Sequence, residues 1–242
     1  MKILKRPRWN SSLDFPLTDS KDHHHDHNHG HPLDQGLTGL VRYLRFLPSM
    51  LANATSDYVL ERLEVQPGER VVDIGAGLGP AAVAAAKLGA YVTAVDPIPY
   101  MRAGLKIRRA VSSGRKLIRV ADGSAEFLPL TSGTADAAWA SNSAHHWSSL
   151  DAGAAEIFRV LAPGGRVLLV EGDFDDPNHC ANDSDRWAKA REKHKHQMAP
   201  KETNELVEAL TNAGFIDIEG GRVDVAEREP AWEAWGVKPR SP

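Results

Sequence analysis

Two carboxylates and three glycines are the residues of this chain best spaced for chemistry. Asp73 stands two residues ahead of Gly75 in the run Asp73-Ile74-Gly75-Ala76-Gly77-Leu78-Gly79, and Asp96 closes the apolar run Tyr91–Val95. Gly75 and Gly77 allow a sharp turn and let a ligand approach the backbone with no Cβ in the way. The dinucleotide pattern is G-x-G-x-x-G, with a pyrophosphate on the helix N-terminus; here the spacing is G-x-G-x-G. A carboxylate just before the loop repels a pyrophosphate but suits an amino group. The ligand so favoured has an adenosine, an α-amino acid end and no phosphate, which describes S-adenosyl-L-methionine. Asp96 is expected to accept the ribose hydroxyls through charge-assisted hydrogen bonds worth about 1.5–3 kcal/mol each.

The elements that must position these groups alternate. Residues 69–74 read as a short β-branched strand bounded by Pro67-Gly68 and Gly75. Pro80 suits a first helical position, 81–88 continues the helix, and Gly89 ends it. Tyr91–Val95 is a second strand closed by Asp96-Pro97. A helix over 99–112, strands at 116–120, 135–140 and 166–170, and a helix at 150–161 closed by Pro163-Gly164-Gly165 follow. An amphipathic helix over 202–213 ends at Gly214, and the final strands fall at 215–219 and 222–226. Strands and helices alternating in this way predict a parallel sheet wound on both faces, with a ligand crevice at its strand ends. Helical spacing also appears over 37–47 and 50–63, and 183–197 reads as a charged helix. Tyr58 is a candidate for an acceptor pocket or for the core.

The motifs in order resemble the class I S-adenosylmethionine-dependent methyltransferases, in the small-molecule branch that includes the ubiquinone/menaquinone biosynthesis C-methyltransferases. Besides the glycine loop, the resemblance rests on Asp96-Pro97-Ile98-Pro99-Tyr100-Met101, Gly123-Ser124-Ala125-Glu126, Asn142-Ser143-Ala144-His145-His146-Trp147 and Glu156-Ile157-Phe158-Arg159-Val160-Leu161-Ala162-Pro163-Gly164-Gly165. It covers roughly residues 55 to 225. It implies a seven-stranded Rossmann-like α/β sheet, doubly wound and mostly parallel, with one antiparallel strand near the C-terminus. It implies that Asp73, Gly75, Gly77 and Gly79 hold the methionine end, Asp96 the ribose, Pro97 and Ile98 one face of the adenine, and Ser124 and Ala125 its amino edge. The family often has Asp where this chain has Ser124, so that contact is expected to be weaker. Asn142 falls at the pocket mouth beside the sulfonium. His145 and His146 are the candidate general bases, since an unperturbed histidine titrates near neutrality; a packing turn is the alternative for both.

The chain has 242 residues, 42% hydrophobic, with a net charge of −3, which gives no pull toward nucleic acid. One cysteine, Cys180, excludes an intrachain disulfide and fits a reducing cytosol. No stretch has the length of a membrane span, and a cytoplasmic protein acting on a small-molecule acceptor is expected, its oligomeric state open. Residues 1–35 are expected to be a disordered tail, 36–228 the domain and 229–242 a C-terminal tail. The first of these carries His23, His24, His25, His27, His29 and His31, ligands for an adventitious metal rather than a catalytic one. Two other functions remain in view: a metal-handling or cofactor-sensing protein using this tract, and a nicotinamide-dependent oxidoreductase.

Overall fold

In the computed structural model, residues 54–183 and 202–240 are described, and they alternate helices and strands. α1 (Ala54–Arg62) precedes β1 (Arg70–Ile74). α2 (Pro80–Leu88) begins on a proline, is rich in alanine, and stops at Gly89, whose left-handed backbone (φ 97°) donates to the Ala85 and Ala86 carbonyls. β2 (Tyr91–Val95) and α3 (Pro99–Val111) repeat the unit, with Met101 and Leu105 buried on the inner side of the helix. β3 (Ile118–Ala121) and β4 (Ala135–Ser141) come next. The Ser149 side chain accepts from the Ala152 amide and caps α4 (Leu150–Val160). β5 (Leu161–Gly172), α5 (Thr203–Ala213), β6 (Ile216–Asp224) and β7 (Pro230–Val237) complete the set.

The seven strands lie in the order β3-β2-β1-β4-β5-β7-β6. β1 to β5 pair in parallel, and β7 runs antiparallel to both β5 and β6. This is the doubly wound sheet expected, with one antiparallel strand. The strand order reverses between β1 and β4, which opens a crevice at their C-terminal ends. Alternate residues of each strand serve opposite faces. Val72, Ile74, Ala138 and Leu169 pack with Ile157 of α4 and Leu210 of α5. Val71, Trp139 and Leu168 pack on the other face with Val59 and Leu63 from the α1 side and Ala82 of α2.

The C-terminal third corrects the sequence reading. The two strands expected at 215–219 and 222–226 are one, β6: Gly220 and Gly221 both pair with β7, and Gly220 is a packing contact and not a turn. A Cβ on Gly220 would lie 2.5 Å from Val207 Cγ2 and 2.7 Å from Thr203 Cγ2, so the glycine lets α5 lie on the strand. Residues 230–237, expected within a tail, form β7 inside the sheet, from Arg166 opposite Val237 to Gly172 opposite Ala231. The domain therefore extends past the boundary expected at 228. β5 also starts earlier than expected: Leu161 already pairs with Ala135, so Pro163-Gly164-Gly165 lies within the strand. The histidine tract, the helix expected at 37–47, residues 50–53 of the next one and residues 184–197 of the charged helix lie outside the described residues.

Candidate active site

The glycine loop takes its shape from two close approaches. Gly75 (φ 68°) and Gly79 (φ 70°) both adopt left-handed backbone, where a side chain is strained. A Cβ on Gly75 would meet Ser143 Cβ at 2.5 Å, and one on Gly79 would meet Leu105 Cδ1 at 2.0 Å. Gly77 is left-handed too (φ 55°), and its amide donates to Asp96 Oδ2 at 2.8 Å. The loop is thus stitched to β2 by the carboxylate that was expected to hold a ribose.

Asp96 is buried, and its other oxygen accepts from the Ile98 amide at 2.8 Å. A carboxylate has about four acceptor positions, so these two amides leave lone pairs for a pair of hydroxyls. Burial pushes this carboxyl up to about 6, against the pull of the two amides and of Arg102. Arg102 donates to the Asp96 carbonyl at 2.8 Å and to Asp122 at 2.9 Å, which ties Asp122 outside the crevice. Pro97 is exposed and Ile98 half-buried at the start of α3, a position open to a planar ring. Across from them Ala125 is buried, and the Ser124 hydroxyl is buried without a hydrogen-bond partner. An adenine amino group would supply the partner that this hydroxyl lacks.

Asp73 sits deeper than expected. It faces Trp139 across the β1–β4 register, and both the Asp73 Oδ2 and the Trp139 indole N–H are buried without a hydrogen bond. Burial pushes the Asp73 carboxyl up to about 7; the neighbouring indole and the Ala82 amide pull it down, and Asp96 adds to the rise.

The turn after β4 closes the other wall. Asn142 is left-handed (φ 51°), its amide donates to the Val170 carbonyl at 2.8 Å, and its side-chain oxygen accepts from the Gly172 amide at 2.7 Å. The Ser143 hydroxyl donates to the Ile74 carbonyl at 3.0 Å, fixing the turn to β1. His145 meets Glu171 through Nδ1 at 2.5 Å. His146 is exposed, its ring centroid 4.0 Å from that of His145, and desolvation first and His145 second hold it below its ordinary value. Trp147 packs against Gly153 of α4. Glu171 is fully buried at the end of β5. Its position after an apolar strand was legible; its partnership with His145 was not. Tyr58 takes no part in the crevice wall formed here: its hydroxyl donates to Glu233 on β7 at 2.6 Å.

The crevice thus combines a glycine loop, a buried carboxylate with acceptor positions to spare and a buried serine hydroxyl without a partner. Residues 72–169, which contain all of it except Glu171 and Gly172, match a family model described as a methyltransferase domain. Over that stretch the chain is similar to methyltransferase domains. Relatives of this domain include the chloroplastic 2-methyl-6-phytyl-1,4-hydroquinone methyltransferase of Arabidopsis thaliana, 30% identical over 159 residues that cover 65% of this chain and 43% of that protein. Another is the demethylmenaquinone methyltransferase of Corynebacterium kroppenstedtii, 34% identical over 112 residues, 46% of this chain and 45% of that one. The chain thus spans less than half the length of these curated relatives. Among solved structures, phosphoethanolamine N-methyltransferase 2 of Haemonchus contortus, in complex with phosphomonomethylethanolamine and S-adenosylhomocysteine, superposes with a TM-score of 0.65 at 18% identity, over 86% of this chain and 59% of that one. That likeness is one of fold.

Two other features lie apart from this crevice. A surface cavity of about 640 Å³ is lined by Leu60, Val83, Leu88 and Arg108, on the outer side of α1 and α2. Among the described residues, no group of three or more His, Cys, Asp or Glu side chains is placed to hold a metal ion.

Proposed function

We propose that this chain is an S-adenosylmethionine-dependent methyltransferase acting on a small-molecule acceptor. The observation that carries the reading is Asp96, buried at the end of β2 and held by the Gly77 and Ile98 amides with acceptor capacity to spare. The unpartnered Ser124 hydroxyl fits the same ligand. S-adenosylmethionine supplies an electrophilic sulfonium methyl, so the protein's work is in-line placement of the acceptor and exclusion of water. In this reading Gly75, Gly77 and Gly79 line the amino-acid end, Asp73 biases it toward a cationic amine, and Pro97, Ile98, Ser124 and Ala125 frame the adenine. Asn142 stands beside the reacting centre.

The acceptor class follows from the relatives named for a hydroquinone and for demethylmenaquinone. A hydroxylated, reduced-quinone-like ring is therefore the acceptor to try first. The net charge of −3 supports a small molecule over a nucleic acid. A cytoplasmic location accompanies this reading, supported by Cys180 being the chain's one cysteine, which leaves no intrachain disulfide. Calorimetric titration with S-adenosylmethionine, S-adenosylhomocysteine and NADH tests it. Micromolar binding of the two sulfur compounds is expected; binding of NADH in their place would transfer the crevice to hydride chemistry.

A further inference from the structure

Glu171 is a carboxylate with no exposed surface, and every contact it makes is to one turn. Its Oε1 accepts from the Ser143 amide at 2.9 Å and the Ala144 amide at 2.7 Å. Its Oε2 meets His145 Nδ1 at 2.5 Å, and the imidazole side chain is itself only 5% exposed. An isolated buried charge is costly, and its retention calls for partners that need a negative oxygen. Two backbone amides can be satisfied by a neutral side chain. The third partner is a ring nitrogen, and a carboxylate there holds the proton on Nδ1. Among the described residues, no group meets the ring's other nitrogen, Nε2.

The place of this pair in the fold is as telling as its chemistry. Ser143 packs where a Cβ on Gly75 would go, so the turn that carries His145 lies directly against the glycine loop. Asn142 clamps the same turn to the end of β5 through Gly172, and the left-handed backbone at Asn142 is the kind of strain found where a site must be held open. The other titratable groups around the turn are His146 beside it and Glu126, which accepts from the Ser148 and Ser149 amides on its far side. His146 is held toward its neutral form, and among the described residues no carboxylate orients it.

We infer that Glu171 is a positioning residue that fixes His145 with a free Nε2, and that His145, not His146, takes the proton from a hydroxyl-bearing acceptor. The inference rests on the methyltransferase reading and adds the proton's destination to it. The acceptor's O–H bond breaks, its proton passes to Nε2, and its electron pair makes the new bond to the transferred methyl. The pair of the broken C–S bond leaves with sulfur, and the imidazolium later returns its proton to water.

The test uses the full chain, S-adenosylmethionine and 2-methyl-1,4-hydroquinone kept reduced as the probe acceptor. Glu171→Gln retains an oxygen for the two amides but turns an N–H toward Nδ1, which moves the imidazole proton to Nε2. Nitrogen-15 NMR of the S-adenosylhomocysteine complex reads that move directly. Expected are a proton on Nδ1 in the wild type and on Nε2 in Glu171→Gln. A fall in kcat of about 100-fold or more should accompany the move, with KM and S-adenosylhomocysteine affinity within about threefold. His145→Gln should show the same fall, and His146→Gln less than a fivefold one. A wild-type proton on Nε2 overturns the inference, as does a kcat within threefold of wild type in both Glu171→Gln and His145→Gln. Failure of the wild type to bind S-adenosylhomocysteine removes the methyltransferase reading and this inference with it.

Discussion

At the scale of single residues, the crevice is a set of carboxylates held away from their ordinary behaviour by burial. Burial pushes the Asp96 carboxyl up to about 6, and in the proposed reading its ionised form is the one that accepts two ribose hydroxyls while keeping its two amides. Affinity for S-adenosylhomocysteine should therefore climb as pH rises through about 6 and level off above it, with proton release on the acidic side. Calorimetry at pH 5.5 and 7.5 reads this, and a flat profile would exclude Asp96 from the binding step. Asp96→Ala should weaken the same ligand about 100-fold or more, since two lost charge-assisted bonds at about 1.5–3 kcal/mol each total about 3–6 kcal/mol and 1.4 kcal/mol is tenfold. Asp96 was legible because its place is local: a carboxylate at the end of an apolar strand, a fixed distance past a glycine loop. The Glu171–His145 contact joins residues 26 apart on neighbouring strand ends, and no spacing rule announces it.

At the scale of elements, the first half of the chain was readable almost to the residue. β2 spans Tyr91–Val95 as expected, and α2 begins at Pro80 and stops at Gly89, because prolines and glycines punctuate a chain whatever its tertiary setting. Gly79 carries two constraints at once, a left-handed backbone and contact with the fully buried Leu105. Gly79→Ala should cost about 2 kcal/mol or more, from backbone strain and overpacking together. Urea unfolding measures it, and an unchanged midpoint would show that α3 yields to the methyl group. The second half misled where the same punctuation served packing. Gly220-Gly221 has the look of a turn, yet Gly220 makes room for α5, a requirement set by residues 203 and 207 in a different element.

At the scale of the whole molecule, the sheet depends on β7, which lies between β5 and β6 although it follows both in sequence. Its buried Glu233 also anchors α1, accepting from Tyr58 at 2.6 Å and from Arg62 at 3.2 Å. Ending the chain after residue 228 should thus abolish cooperative thermal unfolding, whereas removal of a solvated tail would leave the transition in place. Calorimetry on the shortened protein decides between them. The strand was missed because Pro230-Ala231-Trp232-Glu233-Ala234-Trp235 shows no clean two-residue alternation of apolar and polar side chains. An inner strand covered on both faces has no need of one. During synthesis, β5 emerges long before its second neighbour, and β6 has no partner at all until residues 230–237 leave the ribosome. Until then β5 presents an unpaired edge ending at Glu171, an invitation to strand exchange between nascent chains. The residue proposed to orient the base is paired across the sheet with Trp232, so the wall that carries it is not finished until β7 has emerged.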